Sequence, residues 1–225
     1  MPVSDFKICY TKNMENSLCK FKICKYGFTL AEVLITLVII GVVAAMTIPN
    51  VISNTRKPEY SARLKKFYST MKQVELMSAV NGNTWFDWTE ANGFTYNQGF
   101  SAAQTSSFIK ECILPYVSYV KATSDTVYLN DGSSFQIWKG DCFDFIFDVN
   151  GEKKPNEMGK DVYKFLFCPK DTFAWINQLT LIPYQKVDMT SRDTLLFQCM
   201  HNSQYCSALL MLDGWEYKDD YPYRL

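Results

Sequence analysis

Residues 28–48 read FTLAEVLITLVIIGVVAAMTI and restrict this chain more than any other segment does. Between Lys25 and Arg56 the only charged residue is Glu32. As a helix, 21 residues at about 1.5 Å each reach roughly 30 Å, the depth of a bilayer's hydrocarbon core. A soluble helix this apolar on every face is rare. The preceding residues 1–27 hold five lysines (Lys7, Lys12, Lys20, Lys22, Lys25) against Asp5 and Glu15, a net charge of +3. The whole chain balances 23 basic against 23 acidic residues, so the remainder carries −3. Basic flanks stay in the cytoplasm, which predicts that everything after the apolar run crosses. Two plain readings fit less well. A cleaved secretory signal has an apolar region of ~7–15 residues closed by a small-residue site, and this run is longer without such a site. A simple anchor leaves Glu32 unexplained, since a carboxylate inside an apolar span costs about 3 kcal/mol without a partner.

The residues around Glu32 carry a recognisable pattern. Lys25-Tyr26-Gly27-Phe28-Thr29-Leu30-Ala31-Glu32 resembles the prepilin processing motif of type IV pilins and type II secretion pseudopilins. The resemblance implies a leader at 1–27, cut between Gly27 and Phe28 by a prepilin peptidase that then methylates the Phe28 amine. Glu32 becomes the fifth residue of the mature chain and Pro49 the twenty-second, where family members commonly have proline. The segment 28–49, with Phe28, Leu30, Gly41, Ile48 and Pro49, is then a transmembrane helix that becomes filament core. Glu32 meets the Phe28 amine of a neighbouring subunit, which supplies the counter-charge a buried carboxylate needs. The implied partners are other pilin or pseudopilin subunits, the peptidase and an inner-membrane assembly platform. The implied location is the bacterial inner membrane, N-terminus in the cytoplasm and head in the periplasm, then a filament. The leader is long for the best-known members, and Met14 is an alternative start. Cys9, Cys19 and Cys24 fall in the leader and stay reduced.

Residues 50–225 are expected to form the head. Tyr60, Leu64, Phe67, Met71 and Val74 recur at helical spacing, one apolar stripe on a helix running to about residue 80, with Asn81-Gly82 as its stop. Pro49 and Pro58 are expected to disturb that helix. Residues 83–100 read as irregular, and 102–113 as a short helix with Ser101 as N-cap. A hairpin at 126–138 turns on Asn130-Asp131-Gly132. Strand composition returns at 143–149 and 162–168, and a last short helix is expected at 203–211. The expected fold is α+β and pilin-like. A long N-terminal membrane helix packs, over its C-terminal half, on an antiparallel sheet of about four strands.

The loop 148–161, DVNGEKKPNEMGKD, is rich in oxygen donors. Asp148, Asn150, Glu152, Asn156 and Asp161 are candidate Ca²⁺ ligands, although the spacing is not that of an EF-hand. The other reading is a solvated loop whose Asn, Gly and Pro serve turn geometry. Five cysteines follow the leader. If 143–149 and 162–168 pair around the loop, Cys142 faces Cys168, and closing that loop is worth about 3.6 kcal/mol by chain entropy. Cys199 and Cys206 close a shorter loop worth about 2.5 kcal/mol, leaving Cys112. A competing scheme joins Cys112 to Cys142 and leaves Cys168. His201 between Cys199 and Cys206 reads as a surface or capping residue. Trp85, Trp88, Trp215, Tyr221 and Tyr223 either present rings to a ligand or pack the interior. No nucleophile elbow, Walker loop or zinc-protease motif occurs, so a filament subunit is favoured over an enzyme. The alternative is a minor pilin-like binding module for adhesion or DNA uptake. The acidic balance of the mature chain counts against a nucleic-acid partner.

Overall fold

In a computed structural model of the protein the expected long helix is α1, Leu30–Val80. It continues through Pro49 and Pro58, where a disturbance was expected: each proline removes one backbone donor, but the residues around them stay helical. The structure describes residues 7–11, 22–26, 28–93, 101–139, 142–168, 180–185 and 191–225. The chain divides into two compact units, Met1–Ile52 and Ser53–Leu225.

The first unit holds a hairpin that the sequence reading did not anticipate. Strands β1 (Lys7–Thr11) and β2 (Lys22–Tyr26) pair antiparallel, with Cys9 opposite Cys24. From Leu30 to Ile48 the helix is long and apolar enough to cross a membrane, and almost every side chain along it is exposed.

The second unit is built on a six-stranded antiparallel sheet in sequential order: β3 (Tyr119–Ala122), β4 (Thr126–Leu129), β5 (Ser134–Lys139), β6 (Phe143–Asp148), β7 (Val162–Phe167) and β8 (Ile182–Pro183). The two strands beyond the expected four are the short edges β3 and β8. Pro183 sits at an edge, where a missing donor does no harm. Strand alternation puts Phe135, Phe143, Phe145, Phe147, Tyr163, Phe165 and Phe167 on one face, all buried. The expected stripe of α1 covers that face: Tyr60, Leu64, Phe67, Met71 and Val74 are buried with them in one core. Phe67 is its centre. Its ring stacks on Phe147 at 4.0 Å and tilts against Phe165 at 5.3 Å and Phe135 at 5.6 Å.

Residues expected to be irregular contain a helix, α2 (Trp85–Ala91). Thr84 caps it by accepting from the Asp87 amide, and Trp85 and Trp88, one turn apart, enter the core against Phe108. Helix α3 (Ala102–Phe108) starts in a reciprocal capping box between Ser101 and Gln104, then continues as a π-helical turn, Ile109–Ile113. Buried there, the Cys112 thiol is pushed up to about 12, chiefly by desolvation. Helices α4 (Arg192–His201) and α5 (Cys206–Leu212) lie with β7 and β8 around a second, smaller core. That core contains two disulfides, Cys142–Cys168 and Cys199–Cys206.

Removing the central ring should be costly. Phe67→Ala is expected to lower unfolding free energy by about 3–5 kcal/mol, the usual cost of deleting a buried aromatic side chain. Urea denaturation of the detergent-solubilised chain, followed by tryptophan fluorescence, measures it. A loss under about 1 kcal/mol would show that the core closes without this stack.

Candidate functional site

Two places in the chain have polar groups whose placement calls for a partner. The first is the start of α1. Gly27 lies outside the described residues. Phe28 is 88% exposed, and Thr29 precedes the first helical residue, Leu30. Glu32 Oε2 accepts from the Thr29 amide at 2.8 Å and from its hydroxyl at 2.8 Å, while Thr29 Oγ1 accepts from the Glu32 amide at 3.3 Å. This is a capping box, and its Thr-x-x-Glu signature stands in the sequence, unremarked beside the processing motif. The other hydroxyls of the span are satisfied locally: Thr36 donates to the Val33 carbonyl at 2.9 Å and Thr47 to that of Val43 at 3.0 Å. Ile48 is exposed, and Pro49 is helical within α1. Nothing in this chain requires glycine at Gly41, since a Cβ there would meet no atom within 4 Å.

The second place is the loop between β6 and β7. Asp161 is fully buried and organises it. Its Oδ1 accepts from the Glu157 amide at 2.7 Å; its Oδ2 accepts from the Asn156 amide at 2.9 Å and from Asn150 Nδ2 at 3.1 Å. Asn150 Nδ2 also reaches the Tyr60 hydroxyl on α1 at 3.1 Å. Arg63, one turn further along α1, donates to the Val149 carbonyl at 2.8 Å. Gly151 turns with φ 72° where a Cβ would lie 2.6 Å from the Gly132 carbonyl, so the loop and the β4–β5 turn can approach only through glycine.

The five candidate ligands do not all converge. Glu152 turns away and accepts from the Tyr128 hydroxyl at 3.0 Å. Asp148 and Asn150 are half-buried and Asp161 is buried, while Asn156 is exposed at the loop's rim. Asp148 Oδ1 accepts from the Asn150 amide at 3.0 Å. The Asn156 side-chain nitrogen donates to Asp148 Oδ2 at 3.2 Å and to the Lys153 carbonyl. Asn150 Oδ1 is buried with no hydrogen-bond partner. Burial pushes the Asp148 carboxyl up to about 7, and the neighbouring Asp161 carboxylate adds to the effect. Among the described residues no three His, Cys, Asp or Glu side chains gather as a metal group. The donors here are instead carboxylate, amide and carbonyl oxygens, the hard set that suits Ca²⁺. Asn150 Oδ1 is the one buried side-chain polar atom among the described residues left free to meet a cation.

The remaining candidates are structural. Trp85, Trp88 and Trp215 are buried, and Tyr221 and Tyr223 are partly buried, so these rings pack the interior and do not form a ligand platform. The His201 ring tilts against Phe197 at 4.2 Å, and its Nδ1 lies 2.8 Å from the Phe197 carbonyl; Cys199 and Cys206 beside it are joined to each other. The pairing Cys142–Cys168 leaves Cys112 free, so the competing Cys112–Cys142 scheme does not occur.

Comparison with known proteins divides the chain near Pro49. No curated protein and no solved structure matches it. Residues 24–48, the segment that holds the capped Glu32 and the exposed apolar helix, match the prokaryotic N-terminal methylation motif, the mark of type IV pilins and pseudopilins. Residues 50–225, from the helix through the sheet and both disulfides, match a family of unknown function (DUF6613), and the chain belongs to that family, its α+β head carried on a pilin-type N-terminal segment.

Proposed function

We propose that the chain is a structural subunit of a type IV pilus or type II secretion filament, cut between Gly27 and Phe28 and methylated on the new Phe28 amine. The observation that carries this reading is the apolar stretch Leu30–Ile48, exposed along its length and interrupted by one carboxylate four residues after Phe28. Such a surface needs lipid or copies of itself. While the subunit waits in the membrane, the Thr29 amide and hydroxyl satisfy Glu32. On assembly a neighbour's charged Phe28 amine offers a stronger partner, because it adds a direct charge–charge attraction that the neutral Thr29 donors lack. The basic leader holds the N-terminus in the cytoplasm and directs the head to the periplasm. The work of such a subunit is mechanical: it packs, and it carries a head outward. Its partners are other subunits, the prepilin peptidase and the inner-membrane assembly platform.

We further propose that the β6–β7 loop binds calcium through Asp148 and Asn150 side-chain oxygens and the Lys153 carbonyl, with the Asn156 amide, whose nitrogen donates to two of these residues, turning over to present its oxygen. Asp161 holds the loop in shape from behind. When bound, the ion supplies charge neutralisation and oxygen coordination, and no reaction passes through it.

Three measurements test these readings. Gly27→Phe should leave the precursor uncut, seen as an unshifted band when the chain is expressed with a prepilin peptidase; normal processing would remove the assigned site. Glu32→Ala should be processed and inserted normally yet yield at least about tenfold fewer filaments by electron microscopy, and wild-type filament numbers would refute its role. Calorimetric titration should give heat at up to millimolar Ca²⁺, as in extracellular modules, and Asp148→Asn should weaken binding at least about tenfold. No heat from the wild-type chain would end the calcium proposal.

A further inference from the structure

The segment before the proposed cut contains the same four residues twice. Phe6-Lys7-Ile8-Cys9 returns as Phe21-Lys22-Ile23-Cys24. The structure pairs the two copies. Strands β1 and β2 run antiparallel about a central pair, Cys9 opposite Cys24, flanked by Ile8 opposite Lys25 and Tyr10 opposite Ile23. Each cysteine is the middle residue of its strand. Directly opposed residues in an antiparallel ladder have Cα atoms about 4.5 or 5.5 Å apart, according to their place in the hydrogen-bond pattern. Both spacings fall within the ~4.4–6.8 Å that a disulfide spans. The head contains the same arrangement in bonded form. Cys142 and Cys168 lie one step beyond the opposed pair Phe143 and Phe167 of β6 and β7, and they are joined with Cα atoms 4.4 Å apart. Strand register alone therefore puts the Cys9 and Cys24 backbones at disulfide spacing.

The hairpin ends where the cut is proposed. Strand β2 closes at Tyr26, the residue before Gly27, and Tyr26 is paired with Lys7. A two-stranded hairpin with no third strand is marginally stable in water. A reduced leader therefore opens readily and offers its last residues as a single extended strand. A bond between Cys9 and Cys24 closes a loop of 16 residues, which by chain entropy favours the paired form by on the order of a hundredfold.

We infer that Cys9 and Cys24 form a disulfide site in the leader, and that its oxidation controls access of the prepilin peptidase to the Gly27–Phe28 bond. The inference rests on the processing reading above. In a reducing cytoplasm the pair stays as two thiols and the leader is cut. The oxidant is a small-molecule disulfide of the glutathione class. One cysteine thiolate attacks it, forming a mixed disulfide and releasing one thiol. The second thiolate attacks the mixed disulfide, completes the Cys9–Cys24 bond and releases the other thiol. Two cysteines are oxidised, one external disulfide is reduced, and the two protons leave on the released thiols. The locked hairpin holds the residues before the cut in a two-stranded ladder, so oxidised precursor stays uncut in the membrane.

Full-length precursor in detergent micelles, cut by a prepilin peptidase, tests this. A Cys19→Ser background leaves Cys9 and Cys24 as the leader's thiols. Oxidised glutathione should yield a linked Cys9–Cys24 peptide in non-reducing mass mapping. On gels it should slow cleavage at least about tenfold, and dithiothreitol should restore the rate. Adding Cys9→Ser or Cys24→Ser should make cleavage indifferent to the oxidant within about twofold. Glutathione carried on either cysteine without the cross-link overturns the disulfide site. A mapped cross-link with cleavage at the reduced rate overturns the control of processing and leaves the site standing. Reduced precursor that is not cut after Gly27 overturns the processing reading and its control together, while the mapping still decides the disulfide.

Discussion

The head depends on one burial event, the fit of a single helix stripe onto a phenylalanine-lined sheet face. Five residues of α1 at helical spacing meet aromatic side chains delivered by strand alternation on β5, β6 and β7. Each large ring buried is worth about 1.5–3 kcal/mol against exposure, so this seam outweighs any polar contact in the unit. Its consequences reach outward. With the helix seated, Tyr60 and Arg63 stand where they reach the β6–β7 loop, and Lys66 meets Asp131 at 2.7 Å at the β4–β5 turn. Exposed ion pairs of that kind contribute about 0–1 kcal/mol. They follow from the seam and do not create it.

Polar organisation is concentrated on the opposite terms. Asp161 is a fully buried carboxylate without a cation of Lys or Arg at hydrogen-bonding distance among the described residues, and it is tolerated because three N–H donors surround it. Asp148 has fewer donors and the Asp161 charge nearby, and its carboxyl rises to about 7. Two adjacent acids with such different surroundings are costly to keep for turn geometry alone. Asparagine and glycine would turn the chain without that cost.

What could be read from the sequence was what has a period or a fixed partner. The α1 stripe was visible because spacings of three and four persist over fifteen residues, 60–74. The turn at Asn130-Asp131-Gly132 was visible because Gly132 supplies φ 83°, and the cysteines at 142 and 168 because antiparallel pairing brings strand ends together. Elements too short to show a period were missed. Helix α2 has seven residues, and its helical face consists of Trp85 and Trp88 among polar neighbours. Helix α4 buries only Leu195 and Cys199, and is secured by distant residues, Arg192 to Asp213 and Asp220 at 2.7 Å each. Strands β3 and β8 are edges, one exposed and one of two residues, so neither displays strong alternation. In the loop, composition identified the oxygen-rich residues, but it could not separate Glu152, which leaves, from Asn150, whose oxygen stays buried.

If the chain assembles as proposed, Glu32 has to be satisfied in two states. In a lone subunit a carboxylate beneath the membrane surface needs donors from its own chain, and the first turn of a helix is where free backbone donors exist. Thr29, three residues earlier, adds a hydroxyl to its amide and closes a capping box. These two donors are neutral, so they reduce the cost of burying the charge without cancelling it. In the proposed filament a cationic amine from a second copy would offset it. The energy difference between those two partners is available only when subunits meet, and it favours the packed state over the lone one. An apolar residue at position 32 would leave the span more comfortable in lipid but would remove that difference. On the proposed filament reading, the one charge in the most apolar part of the chain is therefore what would favour subunit contact over the bilayer.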